Sequence, residues 1–156
     1  MREVTYRELA AGEEAPMELL LLADPSEKLV RKYLDEGQCI IAELDNELIG
    51  EFVLLPRADH TLEIINVAVR EQWQGQGYGK QLVKQAILMA KQRNMKCIEI
   101  GTGNSSLNQL RLYQRCGFEV YTVIRNFFVD HYEEEIIEDG IPCKHMIRLR
   151  MQLEEE

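Results

Sequence analysis

Apolar residues recur along the chain with two periods, and the change of period marks out its elements. Alternation over residues 3 to 9 predicts a strand. "APMELLLLA" predicts a short helix with Pro16 in its first turn. "DPSEKLVRKYLDEG" predicts a second helix. Asp24 stands at the cap position, Pro25 suits the first turn and Glu27 has capping-box spacing, while Gly37 can end the helix. Leu29, Val30, Tyr33 and Leu34 would form its apolar face. "QCIIAEL", "DNE" and "LIGEFVLL" predict a hairpin, followed by a turn over Pro56 to His60. "TLEIINVAV" gives the strongest strand pattern in the chain. Leu82, Ala86 and Ala90, with Val83 and Ile87 beside them, predict a helix from about Gly79 to Arg93. "KCIEIGTG" predicts a short strand. "SSLNQLRLYQRCG" predicts a helix with Ser106 and Gln109 at capping-box spacing and Gly117 as its stop. "FEVYTVIRNFFV" and "CKHMIRLRMQL" predict two last strands. The order β-α-α-β-β-β-α-β-α-β-β describes one mixed α/β domain over residues 1–156, built on one central sheet.

Composition narrows the class of function. The chain carries a net charge of -9 with 46% apolar residues, which suits a soluble domain and argues against a nucleic-acid partner. No apolar run reaches the roughly 20 residues of a membrane span, and the N-terminal stretch lacks the apolar core of a signal peptide. Cys39, Cys97, Cys116 and Cys143 are far apart, with apolar neighbours. They predict buried thiols in a reducing, cytoplasmic setting, with neither a disulfide framework nor a metal site.

Candidate chemistry centres on "QGQGYG", residues 74 to 79, set between a strand and a helix. A helix N-terminus presents unpaired N–H groups, and glycines let a ligand approach the backbone. Together they predict a phosphate-bearing ligand. A P-loop is excluded because Gly79-Lys80 is followed by Gln81. A dinucleotide fingerprint has different glycine spacing, although Glu99 lies 20 residues after Gly79.

The same stretch resembles the [RQ]-x-x-G-x-[GA] motif of the GNAT superfamily of N-acetyltransferases, carried here by Gln74, Gly77 and Gly79. The likeness extends to "LEIINVAVREQWQGQGYGKQLV", to "LYQRCGF" with Tyr113, Gly117 and Phe118, and to "KHMIRL". It implies a central mixed, mostly antiparallel sheet flanked by helices, with a V-shaped splay between the strands at 62–69 and 97–101. It also implies acetyl-CoA as cosubstrate. The backbone of Gln74, Gly75, Gln76, Gly77, Tyr78, Gly79 and Lys80 would hold the pyrophosphate. Val67 and Val69 would pair with the pantetheine arm, and N–H groups near Val67 and Ala68 would polarise the thioester. Many relatives carry an asparagine seven residues before the tyrosine. Here that position is Ser106, with Asn104 and Asn108 flanking it as substitutes, and helix capping is the competing role for all three.

Acetyl transfer to an amine also needs a base and a partner for the departing thiolate. Glu63 matches the glutamate that several relatives use. Alternation puts it on the face of Ile65, Val67 and Val69, where apolar surroundings would raise its pKa. A substrate-orienting role, or a water relay in its place, stays open. Tyr113 matches the family's acid, against a purely structural role in the core. The acceptor expected from this reading is a primary amine on a small molecule or peptide. "VDHYEEEIIEDG", residues 129 to 140, has six carboxylates and no lysine or arginine. It is either a solvated charge run or a rim favouring a cation such as a polyamine or aminoglycoside. Arg125, Phe127, Phe128, His131 and Tyr132 adjoin it, and His145 reads as a structural histidine. A non-catalytic CoA-sensing module on the same fold is the alternative function. The last strands offer edges for a homodimer.

Overall fold

The computed structural model describes residues 3–153. A seven-stranded sheet runs in the order β1-β2-β3-β4-β5-β9-β6. Its strands are β1 (Thr5–Glu8), β2 (Gln38–Leu44), β3 (Glu47–Arg57), β4 (Thr61–Val69), β5 (Cys97–Gly103), β6 (Glu119–Ile124) and β9 (Met146–Gln152). All neighbours are antiparallel except β4 and β5. A two-stranded ribbon, β7 (Ile137–Glu138) and β8 (Ile141–Pro142), stands apart. The helices are α1 (Met17–Ala23), α2 (Glu27–Glu36), α3 (Tyr78–Gln92), α4 (Leu107–Arg115) and α5 (Phe127–His131).

Two apolar layers cover the two faces. On one, α3 supplies Leu82, Val83, Ala86, Ile87 and Ala90, and α4 supplies Tyr113, against Phe52, Leu54, Leu62, Ile64, Ile98 and Leu149. On the other, Leu20 of α1 with Val30 and Tyr33 of α2 packs on Ile41, Val53 and Leu55.

Several local expectations change. Asp24 does not cap α2. Ser26 does, its hydroxyl accepting from Leu29 N at 3.2 Å, and Asp24 instead accepts from Ser26 N. β3 runs through Pro56 to Arg57. Its β2 partner has already ended at Leu54, so the missing proline N–H costs no ladder bond. Phe127, Phe128 and Val129 form α5 instead of extending β6, because Asn126 takes a left-handed turn at φ 58° and breaks the strand. The hairpin turn at Asp45 and Asn46 has positive φ at both residues, the geometry a two-residue turn requires.

The sheet opens at its centre. β4 and β5 pair from Thr61↔Cys97 to Ile64↔Ile100 and then part, although β4 continues to Val69 and β5 to Gly103. At the same level the β3–β4 register shifts from Val53↔Asn66 to Leu54↔Ile64, so β4 carries an extra residue, Ile65.

Candidate acetyl-transfer site

The glycine loop has the conformation that its residues suggest. Gly75 and Gly77 have φ 74° and 90°, a region that side chains with a Cβ rarely adopt. Gly77 is the N-cap of α3, and the first helical bond there runs from Gln81 N to Gly77 O. The N–H groups of Tyr78, Gly79 and Lys80 therefore have no helical acceptor. The first turn of α3 holds no acidic residue, so no side chain of that turn offsets the positive helix end. The glutamine side chains fold back: Gln74 Nε2 donates to Val69 O and Gln76 Nε2 to Gln72 O. What the loop offers a ligand is its backbone. Trp73 packs edge-on against Tyr78, and its indole N–H donates to Glu47.

Arg70 N donates to Ile49 O, which fixes the phase of hydrogen bonding along β4. By alternation Ala68 turns its backbone groups to β3, while Val67 and Val69 turn theirs to the edge that β5 has left. The Val69 carbonyl is the one that accepts from Gln74.

The bulge at Ile65 also inverts the side-chain phase. Leu62, Ile64, Val67 and Val69 pack in the α3 layer, while Ile65 packs in the opposite layer. Glu63 consequently shares no face with Val67 and Val69, and its neighbours are not apolar. Arg57 Nε donates to its Oε1 at 2.8 Å and Arg148 Nη1 to its Oε2 at 2.9 Å. Arg148 also donates to Glu99, which accepts from Tyr121 OH. Gly101 makes this reach possible, since a Cβ there would lie 2.7 Å from Arg148 Nη1. Glu63 is thus a clamped carboxylate. Neither arginine partner is signalled by the local pattern around Glu63.

Tyr113 is buried on the α3/α4 side, edge-on to Phe118. Burial pushes its phenol pKa up, so it stays protonated. Its hydroxyl has no hydrogen-bond partner among the described residues, yet it is not one of the sealed unsatisfied atoms. Its oxygen therefore keeps contact with solvent.

The three residues around the family's asparagine position diverge. Asn104 Oδ1 accepts from Lys144 N and His145 N, and its Nδ2 donates to Pro142 O. Its side chain is spent on tying β5 to the start of β9. Ser106 is the N-cap of α4, but its hydroxyl donates to Glu138 instead of capping, as does that of Ser105. The capping box with Gln109 therefore does not form. Asn108 is exposed.

The acidic stretch is split. Glu138 turns inward to the serines, while Glu133, Glu134, Glu135 and Asp139 are exposed. Tyr132 OH donates to Asp24, whose other oxygen accepts from Tyr33 OH, so the segment is tied to the α1–α2 junction. Phe127 stacks on His131. His145 Nδ1 accepts from Asn126 N, the structural role expected of it. The four cysteines are free, and no cluster suited to a metal occurs among the described residues. None of the described helices is long and apolar enough to cross a membrane.

Comparison with known proteins agrees with this geometry. Residues 7–118 match the acetyltransferase (GNAT) family. The chain is 50% identical over 145 residues to the uncharacterized N-acetyltransferase YvbK of Bacillus subtilis (strain 168), covering 91% of this chain and 94% of that one. A GNAT acetyltransferase of Elizabethkingia anophelis with acetyl-CoA bound superposes with a TM-score of 0.94 at 49% identity, over 96% of this chain and 98% of that one. A Bacillus subtilis acetyltransferase in complex with CoA gives 0.89 at 47% identity, over 97% and 99%. The glycine loop, the parted strands and these relatives together place the chain in the GNAT family of acetyltransferases, as an N-acetyltransferase that uses acetyl-CoA.

Proposed function

We propose that the protein transfers the acetyl group of acetyl-CoA to a primary amine, at the gap where β4 and β5 part. The observation that carries this reading is the edge that β5 leaves open at Val67 and Val69, with the glycine loop at one end and Tyr113 in the apolar layer on the same face. The N–H groups of residues 75–80 bind the pyrophosphate. Val67 and Val69 align the pantetheine arm as a further strand would, and Val67 N–H polarises the thioester carbonyl. Ala68, turned to β3, shapes the strand without donating. Asn104, Ser106 and Asn108 act on the donor only indirectly, through the position of α4.

Tyr113 serves the sulfur. A free phenol titrates near 10 and a thiol near 8.5, so complete transfer to the thiolate is already uphill by roughly 2 kcal/mol, and burial widens the gap. Tyr113 therefore stabilises the departing thiolate by hydrogen bonding and returns no net proton. Glu63 orients Arg57 and Arg148 on the acceptor side.

The exposed Glu133, Glu134 and Glu135, held near α1 by the Tyr132–Asp24 bond, favour a cationic acceptor such as a polyamine or aminoglycoside. Thiol release from acetyl-CoA, measured across primary amines and their N,N-dimethyl counterparts, tests the reading. Release should occur with primary amines and be absent with the dimethyl forms. Equal release with both, or with alcohols alone, would refute it.

A further inference from the structure

On the α1/α2 face of the sheet, opposite the layer that holds Tyr113, β3 carries a carboxyl that no described residue serves. Glu51 is fully buried, and neither of its oxygens has a hydrogen-bond partner among the described residues. Asn66 Oδ1 is buried and equally unserved, while Asn66 Nδ2 donates to Leu20 O and to Tyr33 OH. Glu51 pairs with Ala68 across the ladder, so Asn66 is its diagonal neighbour. Glu51 alternates with Val53 and Leu55, which places it under α1 and α2. Each sealed acceptor without a donor costs about 1–3 kcal/mol. Buried acceptors left at that cost need an explanation beyond stability.

The chemistry of the gap supplies one. Once Glu51 is ionised, its two oxygens and Asn66 Oδ1 are three acceptors with no donor between them, and they match a group that has N–H bonds and no lone pair. A primary ammonium has three N–H donors and no acceptor. The position also fits. Asn66 directly precedes Val67, whose N–H faces the open edge. A nitrogen approaching the acyl carbon from the α1 face would meet the Asn66 and Glu51 oxygens, while sulfur departs on the Tyr113 side.

We infer that Glu51 and Asn66 form the receiving site for the primary ammonium of the acceptor, and that Glu51 takes its proton. This rests on the acetyl-transfer reading above. Burial holds the Glu51 carboxyl protonated well above the usual carboxylate range. Binding of the ammonium then expels that proton to solvent and leaves an ion pair. Only when the thioester is in place and the nitrogen attacks does one N–H proton pass to the carboxylate; with the amine alone the ion pair persists. The amine forms the C–N bond as the carbonyl electrons move to oxygen. The C–S bond then breaks, and the second amine proton leaves with the sulfur as thiol. Glu63 is unsuited to the task because both of its oxygens are held by guanidinium groups. Tyr33, Cys39 and Asp24 are the other titratable groups nearby. Burial pushes the pKa of both Tyr33 and Cys39 up, so they stay neutral. Leu20 of α1 lies over the site, its carbonyl accepting from Asn66 Nδ2, so the acceptor would have to enter beneath α1.

The test uses the full chain and methylammonium chloride, with tetramethylammonium chloride as a control that has no N–H. Infrared difference spectra should show a protonated-carboxyl band that Glu51→Gln lacks. Methylammonium should remove that band and release about one proton per chain, read by calorimetry in buffers of different ionisation heat. Tetramethylammonium should do neither. A band unmoved by methylammonium, or removed equally by both cations, overturns the proposal. Glu51→Met guards against a purely structural role. It should melt no lower than wild type and release no proton, whereas a lower melting point with proton release retained overturns the assignment. Binding of acetyl-CoA to the wild type, measured separately, tests the acetyl-transfer reading, so the two failures are distinguishable.

Discussion

Removing Arg148 should destabilise the protein far more than removing Arg57, although both hold Glu63. The side chain of Arg148 is 12% exposed and bridges Glu63 and Glu99, whereas that of Arg57 is 47% exposed and holds Glu63 alone. Taking one partner from a buried pair costs about 3–5 kcal/mol. Arg57 would still hold Oε1 of Glu63, and Tyr121 would still donate to the 21% exposed Glu99. The expectation for Arg148→Met is therefore about 2–3 kcal/mol, against about 1 kcal/mol or less for Arg57→Met, where solvent replaces the lost partner. Gly101→Ala reports on the same contact, because its Cβ would press on Arg148 Nη1 at 2.7 Å and Met146 Sδ at 2.8 Å. Such overpacking costs about 1–3 kcal/mol. Part of it should vanish once Arg148 is gone, giving a coupling of at least about 0.5 kcal/mol between the two changes. Urea unfolding of the four proteins, with the midpoint shifting at constant m, measures each value. Equal losses for Arg148→Met and Arg57→Met, or strict additivity with Gly101→Ala, would refute the bridge as a buried unit.

Two further outcomes follow from the burial of single groups. Glu51 is protonated when folded and titrates at the ordinary carboxylate value when unfolded. It therefore contributes stability below about pH 4.3 that is lost as pH rises through the folded pKa. Wild-type stability minus that of Glu51→Gln should fall by up to about 1.4 kcal/mol per pH unit above that point. A difference independent of pH would contradict the buried neutral carboxyl. Tyr113→Phe should lower kcat by about 10- to 100-fold with the acetyl-CoA affinity unchanged. Unaltered turnover would remove Tyr113 from the sulfur's surroundings.

The sequence makes the central strand, the glycine loop and its helix plain, because period and punctuation change together there. It also implies the splay of the sheet, through the family likeness. It misplaces Glu63 for a definite reason: a single extra residue, Ile65, inverts the face of everything after it, and alternation alone carries no mark of a bulge. The same limit hides the guanidinium clamp, since Arg57 and Arg148 lie 91 residues apart in sequence and meet only through sheet order. Asn104 and Ser106 look like cap residues, but long-range partners claim them, Lys144 and His145 for the one and Glu138 for the other. Phe127 to Val129 has strand composition, yet the left-handed Asn126 before it sets the chain into a helix. Glu51 sits in an apolar run whose alternation gives no hint that its carboxyl is left unserved.

The claim on which the rest depends is that the backbone of the glycine loop holds the pyrophosphate of the donor. Calorimetric titration of acetyl-CoA into wild type and Gly77→Glu tests it most directly. Glutamate at φ 90° would strain the N-cap of α3 and set a negative charge at the anion site. The account predicts micromolar binding to the wild type and a loss of at least about 100-fold, near 2.7 kcal/mol, in a variant that remains folded by circular dichroism. A folded Gly77→Glu protein that binds acetyl-CoA as tightly as wild type would contradict it.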